Sequence, residues 1–158
     1  MVMSVIRYRY DSFTGDVIDL ARKIQLSNWL PDYVVGIARG GLVPATYLAQ
    51  WFNVPMRTIY CSFRDSPSEK IDIQSIDQDL SFGKNLLIVD DIVDSGDSFK
   101  QIREVLDSIE HRPEQVRTAA LWLNTDQPED IDYAVREISR VENQSWIVFP
   151  WENFWMNT

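Results

Sequence analysis

The 158-residue chain has only one cysteine, Cys61, and one histidine, His111. A single thiol closes no intrachain disulfide, so the sequence is not a stapled secreted scaffold and is expected to be cytoplasmic. Neither residue has the partner spacing needed for a metal site or for nucleophilic work. No apolar run approaches the ~18 residues of a spanning helix, and no basic segment with a cleavage site opens the sequence. Internal repeats and low-complexity tracts are also missing. Basic residues are scarce: 15 Lys and Arg stand against 24 Asp and Glu, a formal net charge of −9. Broad nucleic-acid binding needs a basic surface, and this balance argues against it. An anion site in such a chain must therefore rest on local amides, a few placed cations and a metal ion.

What is present reads as one ordinary globular domain over residues 1–158, with 45% hydrophobic and 25% charged residues and enough length to bury a core. Ile6–Tyr10 reads as an edge strand or entry segment. Val17, Leu20, Ala21 and Ile24 recur at helical spacing after Ser12 or Thr14, either of which can N-cap, and Pro31 stops that helix. Tyr33–Ile37 is a β-branched strand, followed by the tight Ala38-Arg39-Gly40-Gly41. Leu42–Phe52 suits a helix with Pro44 in its first turn, and Met56–Phe63 a second strand. Residues 64–81 are polar with little apolar periodicity, which reads as a flexible lid. Strands are expected at Asn85–Val89, Val116–Leu123 and Trp146–Phe149, a helix at Ser98–Ile109, and a strand or turn at Tyr133–Ile138. Alternating β and α elements predict an α/β fold, a mostly parallel sheet covered by helices on both faces. Ligands of such sheets sit outside the carboxyl ends of the strands.

The most informative stretch is Leu86–Ser98, LLIVDDIVDSGDS. An apolar strand ends in adjacent carboxylates, Asp90 and Asp91, and then turns through Asp94-Ser95-Gly96-Asp97-Ser98 into a helix start. The carboxylates can accept hydrogen bonds from vicinal hydroxyls, and the amides after the turn can cradle a phosphate. That chemistry suits a sugar phosphate.

These residues closely resemble the signature of the type I phosphoribosyltransferases: a hydrophobic strand, two acids, two variable residues, then Asp-Ser/Thr-Gly-x-Ser/Thr. Gly36–Pro44 resembles the pyrophosphate loop of the purine branch. Trp146–Glu152 resembles the base-binding end of the bacterial and archaeal xanthine-guanine and hypoxanthine enzymes. The resemblance implies a central sheet with a small hood from about 124–158 and a lid at about 64–81. It implies Mg²⁺-dependent transfer of phosphoribose from phosphoribosyl pyrophosphate to hypoxanthine, guanine or xanthine, giving a nucleoside 5-monophosphate and pyrophosphate. A different base, or a non-catalytic regulator that binds the donor, are the alternatives. The implied partners are the donor and a base, with neither nucleic acid nor membrane, in a homo-oligomer of two or four copies.

Residue roles carry over in the same way. Asp90 and Asp91 would hold the ribose hydroxyls, and Ser95, Gly96, Asp97 and Ser98 the 5-phosphate. Arg39 would meet pyrophosphate, with Gly40 and Gly41 allowing close approach; family members often carry a cis peptide at the Ala38-Arg39 position. Asp94 is the catalytic candidate near purine N7, with capping of the following turn as the alternative. Asp91 and Glu152 are the candidate Mg²⁺ ligands. Trp146 would stack on the base and the Ile147 backbone meet its edge. Asn124 stands where the family places a lysine that donates to the 6-oxo group, and its amide can still donate. Asp97 is unusual beside a phosphate; its amide is expected to serve while its carboxylate faces solvent.

Overall fold

The computed structural model describes residues 4–61 and 74–157. Five strands form one wholly parallel sheet: β2 (Tyr33–Ala38), β3 (Met56–Tyr60), β4 (Leu86–Val93), β5 (Val116–Asn124) and β6 (Tyr133–Ile138). Their order is β3-β2-β4-β5-β6. The central strands are apolar nearly throughout, and Val34, Val35, Leu86, Leu87, Ile88 and Val89 are fully buried. That is the pattern of strands covered on both faces.

Helices α1 (Tyr10–Leu26) and α2 (Leu42–Phe52) cover one face, where Phe13, Leu20, Ile24 and Leu48 pack with Leu87, Val89 and Leu121. On the other face α3 (Gln74–Ser81) and α4 (Asp97–Leu106) bring Ile76, Leu80, Phe99 and Ile102 onto Val35, Ile88 and Ala120. After β2 the chain winds outward to β3, and after β4 it winds the opposite way to β5. The carboxyl ends of β2 and β4 therefore flank the switch point where this class of sheet opens a crevice.

A separate two-stranded parallel sheet pairs β1 (Val5–Arg7) with β7 (Trp146–Val148). The hood expected from the C-terminal region is thus built from both ends of the sequence. Tyr8 fastens it down. The Tyr8 hydroxyl donates to Asp16 Oδ2 at 2.6 Å, and Arg136 from β6 closes on the same carboxylate. The Tyr8 ring meets Trp122 and Phe149 edge-on, at 5.7 and 5.6 Å between centroids. Asp16→Ala leaves the Tyr8 hydroxyl and the guanidinium without their acceptor. A loss of about 2 kcal/mol is expected, read as a melting temperature lowered by roughly 5 °C.

Three sequence expectations change. The first helix starts at Tyr10 rather than after Ser12 or Thr14; Arg9 occupies the cap position without a side-chain capping bond, and Thr14 Oγ1 donates back to the Tyr10 carbonyl at 2.9 Å. Part of the polar 64–81 stretch is α3, anchored by Ile76 and Leu80 and by the buried Asp79, which takes a bidentate pair from Arg57 at 2.7 and 3.1 Å. The rest of that stretch, with Ser62 and Phe63, lies outside the described residues. Finally, β4 runs on to Val93, so Asp90 and Asp91 lie within the strand instead of beyond its end.

Candidate functional site

β2 pairs with β4 only as far as Gly36 opposite Val89. The edge of β4 beyond that point, carrying Asp90 and Asp91, receives the loop that follows β2. The Ala38–Arg39 peptide there is cis. Gly40 lies so close that a β-carbon would overlap the Asp91 carboxylate, and one at Gly41 would strike the Val89 carbonyl. Glycine at these positions is a requirement of packing. Arg39 is left exposed at the mouth. The structure thus joins two motifs that stand 50 residues apart in the sequence.

The acidic pair is held by its own backbone. Asp91 N–H donates to Asp90 Oδ1 and Ile92 N–H to Asp91 Oδ1, both at 2.8 Å. Burial, and then the neighbouring Asp91 charge, hold the Asp90 carboxyl well above the usual range. Burial likewise pushes Asp91 up to about 6, opposed by the Asp90 and Ile92 hydrogen bonds and reinforced by the Glu152 charge. Glu152 therefore stands within electrostatic reach of Asp91. A turn secures it there: Glu152 N–H donates to the Phe149 carbonyl at 3.0 Å, and Phe149 N–H donates to Glu152 Oε2 at 3.2 Å. Trp151 in this turn stacks on Phe149 at 5.1 Å, which makes it part of the core cover.

Cys61 lies on the same crevice, its thiol pushed up to about 12 by burial and then by the Asp90 charge. Such a thiol is a poor nucleophile, in keeping with its sequence reading.

The turn after β4 has the form needed for an anion. Gly96 adopts φ +84°, and a side chain there would strike Gln127 and Glu129. Lys100 N–H makes the first helical bond, to the Gly96 carbonyl at 2.9 Å, so the amides of Asp97, Ser98 and Phe99 have no intrahelical acceptor. Asp97 behaves differently from expectation. It is exposed, yet its Oδ2 accepts the Ser95 hydroxyl at 2.8 Å while its N–H donates back to Ser95 Oγ at 3.3 Å. An incoming phosphate would compete with this carboxylate for the hydroxyl and for the helix terminus. Asp97→Asn is therefore expected to lower the KM for the phosphorylated donor about three- to tenfold, measured by steady-state kinetics.

Asp94 begins that turn and is gripped by a residue the sequence did not flag. Arg140 Nε donates to Asp94 Oδ1 at 2.7 Å and Nη2 to Oδ2 at 3.0 Å, while Nη1 donates to the Ser145 carbonyl at 2.6 Å. Asn124, at the end of β5, spends one amide hydrogen on Asp94. It is 7% exposed. Its Nδ2 donates to the Asp94 carbonyl at 2.8 Å, and its Oδ1 accepts from Asp126 N–H at 3.0 Å and Arg140 N–H at 3.3 Å. Its short side chain binds the two partners of the ion pair together.

Beyond Ser145, Trp146 is 42% exposed while Ile147 is buried. Trp146 N–H donates to the Ser4 carbonyl and Tyr8 N–H to the Val148 carbonyl, at 2.8 and 2.9 Å. Parallel pairing alternates, so the Ile147 backbone groups face away from β1.

Among the described residues, no three His, Cys, Asp or Glu form a group that would hold a metal by themselves. No described helix is long and apolar enough to cross a membrane.

The chain is similar to known proteins over nearly its whole length. A curated xanthine-guanine phosphoribosyltransferase of Chromohalobacter salexigens is 31% identical over 95% of this chain and 89% of its own. The crystal structure of a purine phosphoribosyltransferase from Pyrococcus horikoshii superposes with a TM-score of 0.73 at 26% identity, covering 96% of this chain and 97% of that one. A hypothetical protein of Neisseria gonorrhoeae, solved with ppGpp bound, shares the fold at a TM-score of 0.79 and 23% identity over 99% and 94% of the two chains. The phosphoribosyl transferase domain model matches residues 9–153, from the cap of the first helix to the residue after Glu152, and the chain belongs to that family of phosphoribosyltransferases.

Proposed function

We propose that this phosphoribosyltransferase joins the ribose 5-phosphate of phosphoribosyl pyrophosphate to hypoxanthine, guanine or xanthine, releasing pyrophosphate. The observation that carries the reading is the meeting, at the sheet's switch point, of the Arg39 loop, the acidic pair, an amide-lined turn and Asp94, which Arg140 ties to the residue before the exposed Trp146. In this reading the amides and hydroxyls of 95–98 take the 5-phosphate, and Asp90 and Asp91 the ribose hydroxyls. Arg39, Gly40 and Gly41 receive the pyrophosphate. As the base nitrogen attacks C1, positive charge develops on the sugar beside fixed carboxylates, a favourable placement in a closed site. Asp94 meets N7 and accepts or holds its proton. Trp146 stacks on the ring and the outward backbone of Ile147 meets its edge. The names of the curated and solved relatives support a purine as acceptor.

Magnesium fits the donor set. Asp90, Asp91 and Glu152 offer only oxygen, and the raised carboxyls mark negative charge that a dication would relieve. Mg²⁺ is usually held by one or two carboxylates, with substrate oxygens and waters completing its shell. Asp91 and Glu152 would hold it, and when bound it would neutralise charge on the leaving pyrophosphate. The single unpaired cysteine supports a cytoplasmic setting, and assembly into two or four copies belongs to the same reading.

The test is a panel of purines and pyrimidines incubated with donor and Mg²⁺ and scored for pyrophosphate release. Release with hypoxanthine, guanine or xanthine is the expected result. Silence with every base would overturn the reading.

A further inference from the structure

We infer that Arg140 is the residue that selects the base, by donating to the 6-oxo group of a purine whose N7 faces Asp94. This rests on the acceptor reading above. Guanidinium carries five N–H donors in a fixed plane. Three are engaged: Nε and one Nη2 hydrogen with Asp94, and one Nη1 hydrogen with the Ser145 carbonyl. One hydrogen on each terminal nitrogen has no partner among these bonds, and the side chain keeps 20% of its surface exposed.

Position agrees with inventory. Arg140 bridges Asp94, at the end of the donor-binding strand, to the residue immediately before Trp146. A ring stacked on Trp146 with its imidazole edge toward Asp94 would bring its six-position to the guanidinium. Each Asp94 oxygen retains acceptor capacity beyond its bond to Arg140, so the pair presents an acceptor beside a donor. The N7-protonated form of a 6-oxopurine offers a donor beside an acceptor, the complementary order. A 6-aminopurine offers two donors there and sets an amino group against the cation.

Asn124 fits this arrangement as the part that positions it. One of its amide hydrogens goes to the Asp94 carbonyl and its oxygen accepts the Arg140 N–H, so it fixes both members of the pair. A charge-assisted hydrogen bond to one carbonyl accounts for discrimination of about ten- to a hundredfold.

Arg140→Met and Arg140→Lys are compared with the wild type for kcat/KM on hypoxanthine and on adenine, with donor KM and melting temperature recorded for each. The expected result is a hypoxanthine kcat/KM about ten- to a hundredfold lower in R140M. Adenine should lose much less than hypoxanthine, so that the ratio of the two kcat/KM values falls whatever common loss the unclamped Asp94 brings, the donor KM should move less than about threefold, and R140K should recover part of the preference. A role confined to clamping the loop predicts equal losses on both bases and a higher donor KM. That result would overturn the inference, as would an R140M enzyme that keeps the wild-type preference. If R140M does not fold, the same comparison in R140K decides: preference undiminished from wild type overturns the inference, and a reduced preference with unchanged donor KM supports it. A wild type that releases no pyrophosphate with any base removes the parent reading and this one together, whereas an active wild type with an unaltered R140M preference removes this one alone.

Discussion

Asp94→Asn is expected to lower turnover about 10²–10⁴-fold, the usual worth of a positioned proton acceptor, while donor binding changes by less than about threefold. The substitution keeps the shape of the side chain and leaves one oxygen for Arg140, so the Asn124 clamp on the Asp94 carbonyl persists. What disappears is the negative charge that the proposed reaction sets beside N7. Single-turnover rates and calorimetric titration of the donor separate the two effects. A variant with wild-type turnover would reduce Asp94 to a tether for Arg140.

The second large effect concerns pH. Asp90 and Asp91 are held above the ordinary carboxylate range by burial first, so the folded state binds protons that the unfolded chain has already released. Stability of the magnesium-free protein must then fall as pH rises through that interval. For Asp91 the interval runs from about 4, its unfolded value, to about 6, and the difference corresponds to about 3 kcal/mol. Asp90 adds in the same direction. The melting temperature of the metal-free protein is expected to be roughly 5–10 °C higher at pH 4.5 than at pH 7.5. The net charge of −9 contributes a general repulsion of the same sign. The Asp90→Asn, Asp91→Asn double variant separates the two: its curve should be much flatter. Donor with Mg²⁺ should raise the wild-type melting temperature more at pH 7.5 than at pH 4.5, because in the proposed reading the metal needs the deprotonated carboxylates of Asp91 and Glu152. A wild-type melting temperature that climbs with pH over this range contradicts the account.

The strand, acidic pair and turn proposed to hold the donor were legible because they are written in consecutive letters. Leu86–Ser98 carries strand, carboxylates, turn and helix start in one segment, and Gly40 must be glycine wherever a backbone lies against a carboxylate. The residues proposed for the acceptor are assembled from distant pieces. Arg140 sits in a polar connection, 46 residues from its partner Asp94, and nothing in Ser139-Arg140-Val141 distinguishes it from a solvated arginine. Asn124 was visible as an amide at the expected place, but only the fold shows which way its donor points. Helix α3 was hidden for another reason. Only Ile76 and Leu80 face the core over its eight residues, too few for an apolar stripe, and its buried Asp79 reads as surface until Arg57 is seen beside it.

The pairing of Val5–Arg7 with Trp146–Val148 bears on any attempt to re-engineer the acceptor. Grafting a relative's base-recognition strand alone would part it from the short ribbon beside it, and from the tyrosine that docks this sheet on the main body. A successful chimera should exchange residues 4–8 and 145–149 as one cassette, even though almost the whole protein separates them in the gene.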